Sequence, residues 1–521
     1  MSVETLPALV RQAAAVHAGR PAVVDGEQRL DFAALAEAVM QAARAFLALG
    51  IARGDRVAIW APNGWAWQVA ALGAQSVGAV LVPLNTRWKG REAAEVLARS
   101  RARALVTVVD FLGVDYVARL RDCLARGAVD GDLALPDLRH IIAADGSGAG
   151  ALDWRSFLDN GRAVSVADAE TRARGVMPDD ISDLIFTAGT TGQSKGVACT
   201  HGQTLRVFRT WAEIVGLRPR DRYLVVNPYF HTFGYKAGWL ACLLTGATCL
   251  PHAVFDVATV LERVARERIT VLPGPPTLYQ SILDHPERGR FDLSSLRLAV
   301  TGAATIPVEL IRRMRAELSF ETILTAYGLT ESCGVVTMCR PGDDLETIAR
   351  TSGRPIPGVE VRIVDGEVRV RGYNVMRGYW NDPVATAAAL DADGWLRTGD
   401  IGALDERGNL RITDRCKDML IVGGFNVSPA EVEGMLVRHA GVAQAAVVGV
   451  PDLRLGEVPY AFVVLRPEAQ VGSSALVAWA RDEMANYKAP RHVEIVDALP
   501  MNAAGKVLKL ELRKRAAAQL P

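Results

Sequence analysis

The 521-residue sequence is poor in the features that would mark a secreted, membrane-bound or nucleic-acid-binding chain. Its seven cysteines are an odd number, and no two have the C-x-x-C spacing. A disulfide framework and a zinc knuckle are thereby set aside, and a reducing compartment, the cytoplasm, is expected. No charge of either sign dominates: 59 Lys and Arg face 58 Asp and Glu, a formal net charge of +1. That balance gives no electrostatic reason for a nucleic-acid partner, although it leaves room for the local basic patch a polyphosphate needs. No apolar run reaches the roughly 18 residues that a bilayer span requires. The longest, Ala237 to Leu250, is interrupted by Gly238 and Gly246 and reads as a buried helix and strand. No charged-then-apolar leader opens the chain, since Leu6 to Ala18 carries Arg11 and His17 and reads as an amphipathic helix. Internal repeats are absent too.

What is present is an α/β rhythm. Pro21–Val24 and Gln28–Phe32 flank an Asp25–Gly26 turn, a hairpin signal, and an apolar-periodic helix then stops at Gly50. Strand-like Asp55–Trp60, Ala79–Pro83 and Ala104–Val109 alternate with helix-like Trp65–Ser76 and Glu92–Ser100. Such alternation predicts mainly parallel, buried strands. Gly127–Gly150, rich in Gly, Asp and Ala, reads as a surface excursion. Val359–Val364 and Glu367–Arg371 alternate apolar with charged residues around Asp365–Gly366, an antiparallel hairpin with one wet face. Beyond about Asp418 the elements shorten. The length exceeds one ordinary core, so a large multi-subdomain N-terminal domain, 1–414, is expected to precede a small α+β domain, 415–521, with a junction at 413–418.

The most informative segment runs from Leu184 to Gly196. A short apolar strand ends in Thr187; Gly189, Gly192 and Gly196 then alternate with Thr190, Thr191 and Ser194 around Lys195. Glycines let backbone amides approach phosphate oxygens, hydroxyls donate hydrogen bonds, and the lysine supplies charge. The Walker A pattern needs Gly at 194 and Ser or Thr at 196, where this chain has Ser194 and Gly196. The segment resembles instead the phosphate-binding signature of the adenylate-forming superfamily: acyl-CoA synthetases, luciferases and peptide-synthetase adenylation domains. Ala188 stands where that family usually has Ser.

Further segments resemble the family in order along the chain. Pro228–Gly234 resembles the motif whose histidine, here His231, lies beside the carboxylate and acyl group. Gly302, Ala303 and Ala304 look like the turn lining the adenine and acyl sites. Tyr327-Gly-Leu-Thr-Glu331 matches the motif that stacks adenine on Tyr327 and Gly328, offers Thr330 to the α-phosphate and binds Mg²⁺ through Glu331. Glu331 is a hard oxygen ligand of the kind magnesium favours. Gly394–Asp400 resembles the ribose motif, with Asp400 accepting from both hydroxyls. Asp414–Asp418 resembles the hinge, Arg415 reaching the ribose and phosphates and Lys417 at the pivot. Gly423, Gly424 and Phe425 belong to a stretch that resembles the wall of the pantetheine channel. Pro500–Lys506 matches the C-terminal motif of the catalytic lysine, Lys506.

The resemblance implies a two-domain adenylate-forming fold that makes an acyl-AMP from ATP and a carboxylic acid, then passes the acyl group to coenzyme A. It implies Lys506, His231, Glu331 and Thr190 as the catalytic set and Glu331 with Thr190 at the metal. No protein nucleophile is required. A carrier-protein-loading adenylation enzyme and a CoA-independent acyl-AMP ligase stay open as alternatives, although His231 stands where amino-acid-activating relatives place Asp. The acyl group is expected among His231, Phe233, Tyr235, Lys236, Trp239, Cys333, Gly334 and Val335. His231–Gly238 resembles ligases of actinobacterial steroid breakdown, which activate a propanoate on a partly degraded ring system. Lys236 would then meet a ring ketone or run its stem out to solvent. Medium- or long-chain fatty acids are the alternative acid, and a homodimer is left open.

Overall fold

The computed structural model describes the chain apart from residues 1–2, 131–133, 149, 188–193, 303–305, 307, 416–418, 467, 501–506 and 520–521. It divides into two compact units. One comprises 1–86, 94–186 and 196–414; the other comprises 87–93, 187–195 and 415–521.

In the larger unit, strands rich in Val, Ile and Leu are covered on both faces, which favours parallel pairing. Arg56–Trp60 lies parallel to both Val80–Pro83 and Ala102–Thr107 in the middle of an eight-stranded sheet. Ile181–Thr187 follows Val80–Pro83 in parallel, and its other neighbour is Lys195–Thr200. The glycine-rich segment therefore joins two adjacent strands. At the sheet edge Gly378–Tyr379 runs antiparallel to Lys195–Thr200. A second layer places Leu298–Gly302 parallel to Thr322–Tyr327, with Gly302 opposite Ala326.

Both expected hairpins form. Pro21–Asp25 pairs antiparallel with Gln28–Asp31, and Val359–Val364 with Glu367–Gly372. The second turns on Asp365 and Gly366, both at positive φ (52° and 82°), where Asp and Gly are the favoured residues. The stretch Gly127–Gly150 is not wholly an excursion. The helix Tyr116–Asp130 runs into it, and His140–Ala143 adds a strand parallel to Ala102–Thr107. Apolar Ala237–Leu250 is divided as expected between helix and strand, the strand being Thr248–Pro251.

The smaller unit has its own core around Val447, Phe462, Leu476 and Leu512. Its long hairpin, Val442–Asp452 with Gly456–Leu465, is extended by Leu420–Val422 and by His492–Ile495. Six of the cysteines are described, and all six are buried and free. No described helix is long and apolar enough to cross a membrane.

Candidate active site

Tyr327 ends a buried strand, and its hydroxyl donates to Asp400 Oδ2 at 2.6 Å. Asp400 is 6% exposed, and its backbone amide donates to Thr398 Oγ1 at 3.1 Å. The residues read as the adenine and ribose contacts therefore meet. Backbone crowding explains two glycines here. A Cβ at Gly302 would lie 2.5 Å from the Ala326 carbonyl oxygen, and one at Gly328 would lie 2.2 Å from that of Gly334.

Glu331 sits in the short helical turn Thr330–Ser332, closed by Ser332 Oγ against the Leu329 backbone. Its carbonyl accepts from the Met376 amide at 2.9 Å, and Tyr379 OH donates to its Oε1, also at 2.9 Å. Burial, together with the Glu331 charge, pushes the Tyr379 phenol well above its ordinary value, so it stays a donor. Among the described residues Oε2 has no hydrogen-bond partner, which suits it to another ligand. Among the described residues no three metal-ligating side chains cluster. A cation at Glu331 would thus take one carboxylate and complete its shell with phosphate oxygens and water, the usual habit of magnesium.

His231 caps the turn Thr232–Gly234, and its Nδ1 accepts from the Phe233 amide at 3.3 Å. The proton of the neutral ring is therefore on Nε2. The ring keeps open surface, yet protein crowds it enough that burial lowers its pKa, favouring that neutral form. Phe233 and Gly334 are half-buried.

The other expected acyl-pocket residues form packed interior. Tyr235, Lys236, Trp239, Cys333 and Val335 are at most 4% exposed, and the Tyr235 and Trp239 rings stack 5.0 Å apart. Lys236 does not run to solvent. Its Nζ lies 2.9 Å from Asp183 Oδ1, with both side chains fully buried. Burial is the largest single influence and opposes the charge, but Asp183 together with Cys199, Cys333 and Tyr235 holds the Lys236 pKa well above its usual value. The neighbouring Cys199 thiol, working against burial and aided by Lys236, lowers the Cys333 pKa below that of an ordinary thiol.

Gly189, Thr190, Thr191, Gly192, Ala303, Ala304, Lys417 and Lys506 lie outside the described residues, and of Arg415 only the backbone is described, at the end of the strand Leu410–Arg415. Thr187 and Lys195 flank the glycine-rich segment as strand ends. Ser194 Oγ is buried without a partner among the described residues, a hydroxyl suited to a phosphate oxygen. In the smaller unit Gly423 and Gly424 turn at φ 56° and 85°. Phe425 packs on Tyr487, ring centroids 4.7 Å apart, and carries the Arg87 guanidinium 4.5 Å from its ring. Lys488, in the same unit, is paired at 2.6 Å with both Glu92 and Glu431. Sequence reasoning missed Tyr379, Asp183 and Lys488; each acts through a partner far along the chain, which no local spacing reveals.

Residues 10–380 match the family model for AMP-binding enzymes, and 431–506 the model for the AMP-binding enzyme C-terminal domain. A relative from Mycobacterium tuberculosis is 52% identical over 518 residues, covering 98% of this chain and 99% of its own. It is described as 3-[(3aS,4S,7aS)-7a-methyl-1,5-dioxo-octahydro-1H-inden-4-yl]propanoyl:CoA ligase. A relative from Rhodococcus jostii with the same description is 51% identical over 511 residues, 98% of each chain. Among solved structures, the amide bond synthetase McbA from Marinactinospora thermotolerans aligns with a TM-score of 0.82 at 30% identity, over 98% of this chain and 99% of that one. An o-succinylbenzoate CoA synthetase from Bacillus subtilis aligns at 0.78 with 28% identity, over 97% and 98%.

Proposed function

The chain belongs to the AMP-binding enzyme family, and from that premise we propose that its acid is a propanoate borne on a partly degraded steroid ring system. It is an ATP-dependent acyl-CoA ligase. Full-length identity of about one half to two ligases of one bicyclic propanoate carries the substrate reading. Described medium-chain acyl-CoA ligases are more distant, at 33% or less.

A carboxylate is a poor electrophile because oxide would have to leave. Its oxygen attacks the α-phosphorus of ATP, pyrophosphate departs, and the acid becomes an acyl-AMP. The CoA thiol then attacks the acyl carbon, releasing AMP and a proton and leaving the thioester. Asp400 holds the ribose, with its carboxylate oriented by Tyr327; Thr187, Ser194 and Lys195 flank the segment that holds the phosphates. Magnesium, when bound, would neutralise charge building on the phosphate oxygens; Glu331 and Thr190 would hold it. His231, with its proton on Nε2, donates to the acid, and Phe233 and Gly334 border the acyl group. Lys506 brings an ammonium to the junction of acid and α-phosphate, where negative charge grows in the transition state. Gly423, Gly424 and Phe425 line the path of the CoA arm, and Lys417 is the pivot on which the C-terminal domain turns between the steps. We place the reaction in the cytoplasm, where ATP and CoA are available.

Two measurements test this reading. Lys506→Ala should abolish AMP formation from acid and ATP yet retain CoA thioester formation from supplied acyl-AMP. Offered the dioxo-octahydroindenyl propanoate and octanoate separately, the enzyme should favour the bicycle by about 100-fold in kcat/KM, the scale of several lost pocket contacts. A preference for octanoate would overturn the substrate assignment.

A further inference from the structure

Resting on the reading above, we propose that Lys236 is a positioning residue: paired with Asp183, it locks the strand entering the phosphate segment, the His231–Phe233 turn and the Glu331 turn into one geometry.

An ammonium carries a full charge and three donors; at Lys236 the charge meets Asp183, and donors reach Thr204 and Cys333. These three neighbours come from three separate segments. Asp183 Oδ1 at 2.9 Å belongs to the strand Ile181–Thr187. Thr204 Oγ1 at 3.1 Å is on the helix His201–Val215. Cys333 Sγ at 3.4 Å directly follows the turn Thr330–Ser332. On the far side of the carboxylate, Ser182 Oγ donates to Asp183 Oδ2 at 2.7 Å and lies 3.2 Å from the Cys199 carbonyl oxygen. Both strands that flank the glycine-rich segment are therefore tied to one ion pair.

Each anchored position is only a few residues from a functional one. Asp183 is four before Thr187, Cys333 two after Glu331, and Lys236 three after Phe233 and five after His231. Tyr235 ties the start of this segment to its end, since its amide donates to the His231 carbonyl at 2.9 Å. The segment has little slack elsewhere: a Cβ at Gly234 would meet the Pro228 carbonyl oxygen at 2.2 Å. A fully buried ion pair is not needed for stability, because apolar residues of similar volume usually serve as well. What apolar packing cannot do is dictate direction. A shift near 1 Å in reacting groups is enough to cost about 100-fold in rate.

The test is the apolar pair Asp183→Val/Lys236→Met, with the milder Thr204→Val beside it. In the double variant, assayed well below its unfolding midpoint, kcat for AMP formation should fall about 30-fold while KM for ATP stays within about threefold, the pattern of lost alignment rather than lost binding. Amide hydrogen exchange should rise about tenfold in 231–240 and 330–336 and stay at the wild-type level in Pro429–Leu436 of the smaller unit. Thr204→Val should show both effects at about one fifth of that size. Wild-type kcat and wild-type exchange in a folded double variant would overturn the proposal. If the double variant does not fold, unchanged kcat and exchange in Thr204→Val would do so. The exchange readout needs no turnover, so it judges Lys236 whatever the acid is; failure of the substrate reading would show as wild-type enzyme inactive on the bicyclic propanoate.

Discussion

A carboxylate that is to meet a cation must be held still with one oxygen free. At Glu331, Tyr379 takes Oε1 at 2.9 Å and leaves Oε2. Tyr379→Phe keeps the ring and deletes the bond. Losing such an orienting partner typically costs 10- to 100-fold. We expect about a tenfold drop in the rate of AMP formation and a higher magnesium concentration for half-maximal rate. Magnesium titration of pyrophosphate release would check this, and wild-type values for both would dismiss Tyr379. Lys236→Met makes a sharper point about stability. It strands the Asp183 carboxylate in the interior, a loss of about 3–5 kcal/mol that urea unfolding would register. Tyr327, Asp400, Glu331 and His231 stood out in the sequence because each sits in a short motif that resembles one of the family, in the family's order; taken singly, each would read as an ordinary turn or core residue. Lys236 was legible as unusual but not as paired. Asp183 lies 53 positions earlier, in an apolar strand where nothing nearby marks it as a counter-ion.

Elements were legible wherever turn residues or periodicity bounded them. The hairpin around Asp365–Gly366 needs positive φ at two successive positions, and the sequence supplies residues that tolerate it. His140–Ala143 escaped because it is four residues long in a Gly- and Asp-rich stretch, and only its pairing with Ala102–Thr107 makes it a strand. The helix His201–Val215 shows how an element start can carry pH dependence. Thr200 and Gln203 form a reciprocal cap. The next residue, His201, is fully buried, and its Nδ1 accepts from the Leu6 amide at 3.3 Å. Burial, only partly offset by the Asp180 charge, lowers its pKa to about 4. Unfolded chain takes up this proton near pH 6.5, whereas the folded form refuses it until about pH 4. Its contribution is therefore complete above pH 6.5 and drains away as pH falls toward 4. Between pH 7 and 5 the wild type should lose roughly 2 kcal/mol more than His201→Gln does, read from urea midpoints at the two pH values.

Over the whole molecule, order along the chain carried the reading: segments that resemble the family's phosphate, histidine, adenine, ribose, hinge and lysine motifs follow one another in sequence. Less legible was how the chain partitions, since 87–93 and 187–195 cluster with 415–521 rather than with the sequence around them. Within the smaller unit Lys488 gathers Glu92 and Glu431 from distant positions, a pairing no local spacing reveals. The proposed chemistry makes one demand at this scale. Lys506 serves the first step and Gly423–Phe425 the second, and both belong to the C-terminal segment, so that segment must present itself in two ways. A rotation of that kind is absorbed by φ and ψ at a few hinge positions. Proline fixes φ near −65° and restricts the residue before it. Lys417→Pro should therefore freeze the pivot while leaving the nucleotide-binding groups untouched. We expect ATP–pyrophosphate exchange within about threefold of wild type and CoA thioester formation reduced at least about 100-fold, measured on the same preparation. Loss of both activities in equal measure would mean that one arrangement serves both steps, and Lys417 would then be no pivot.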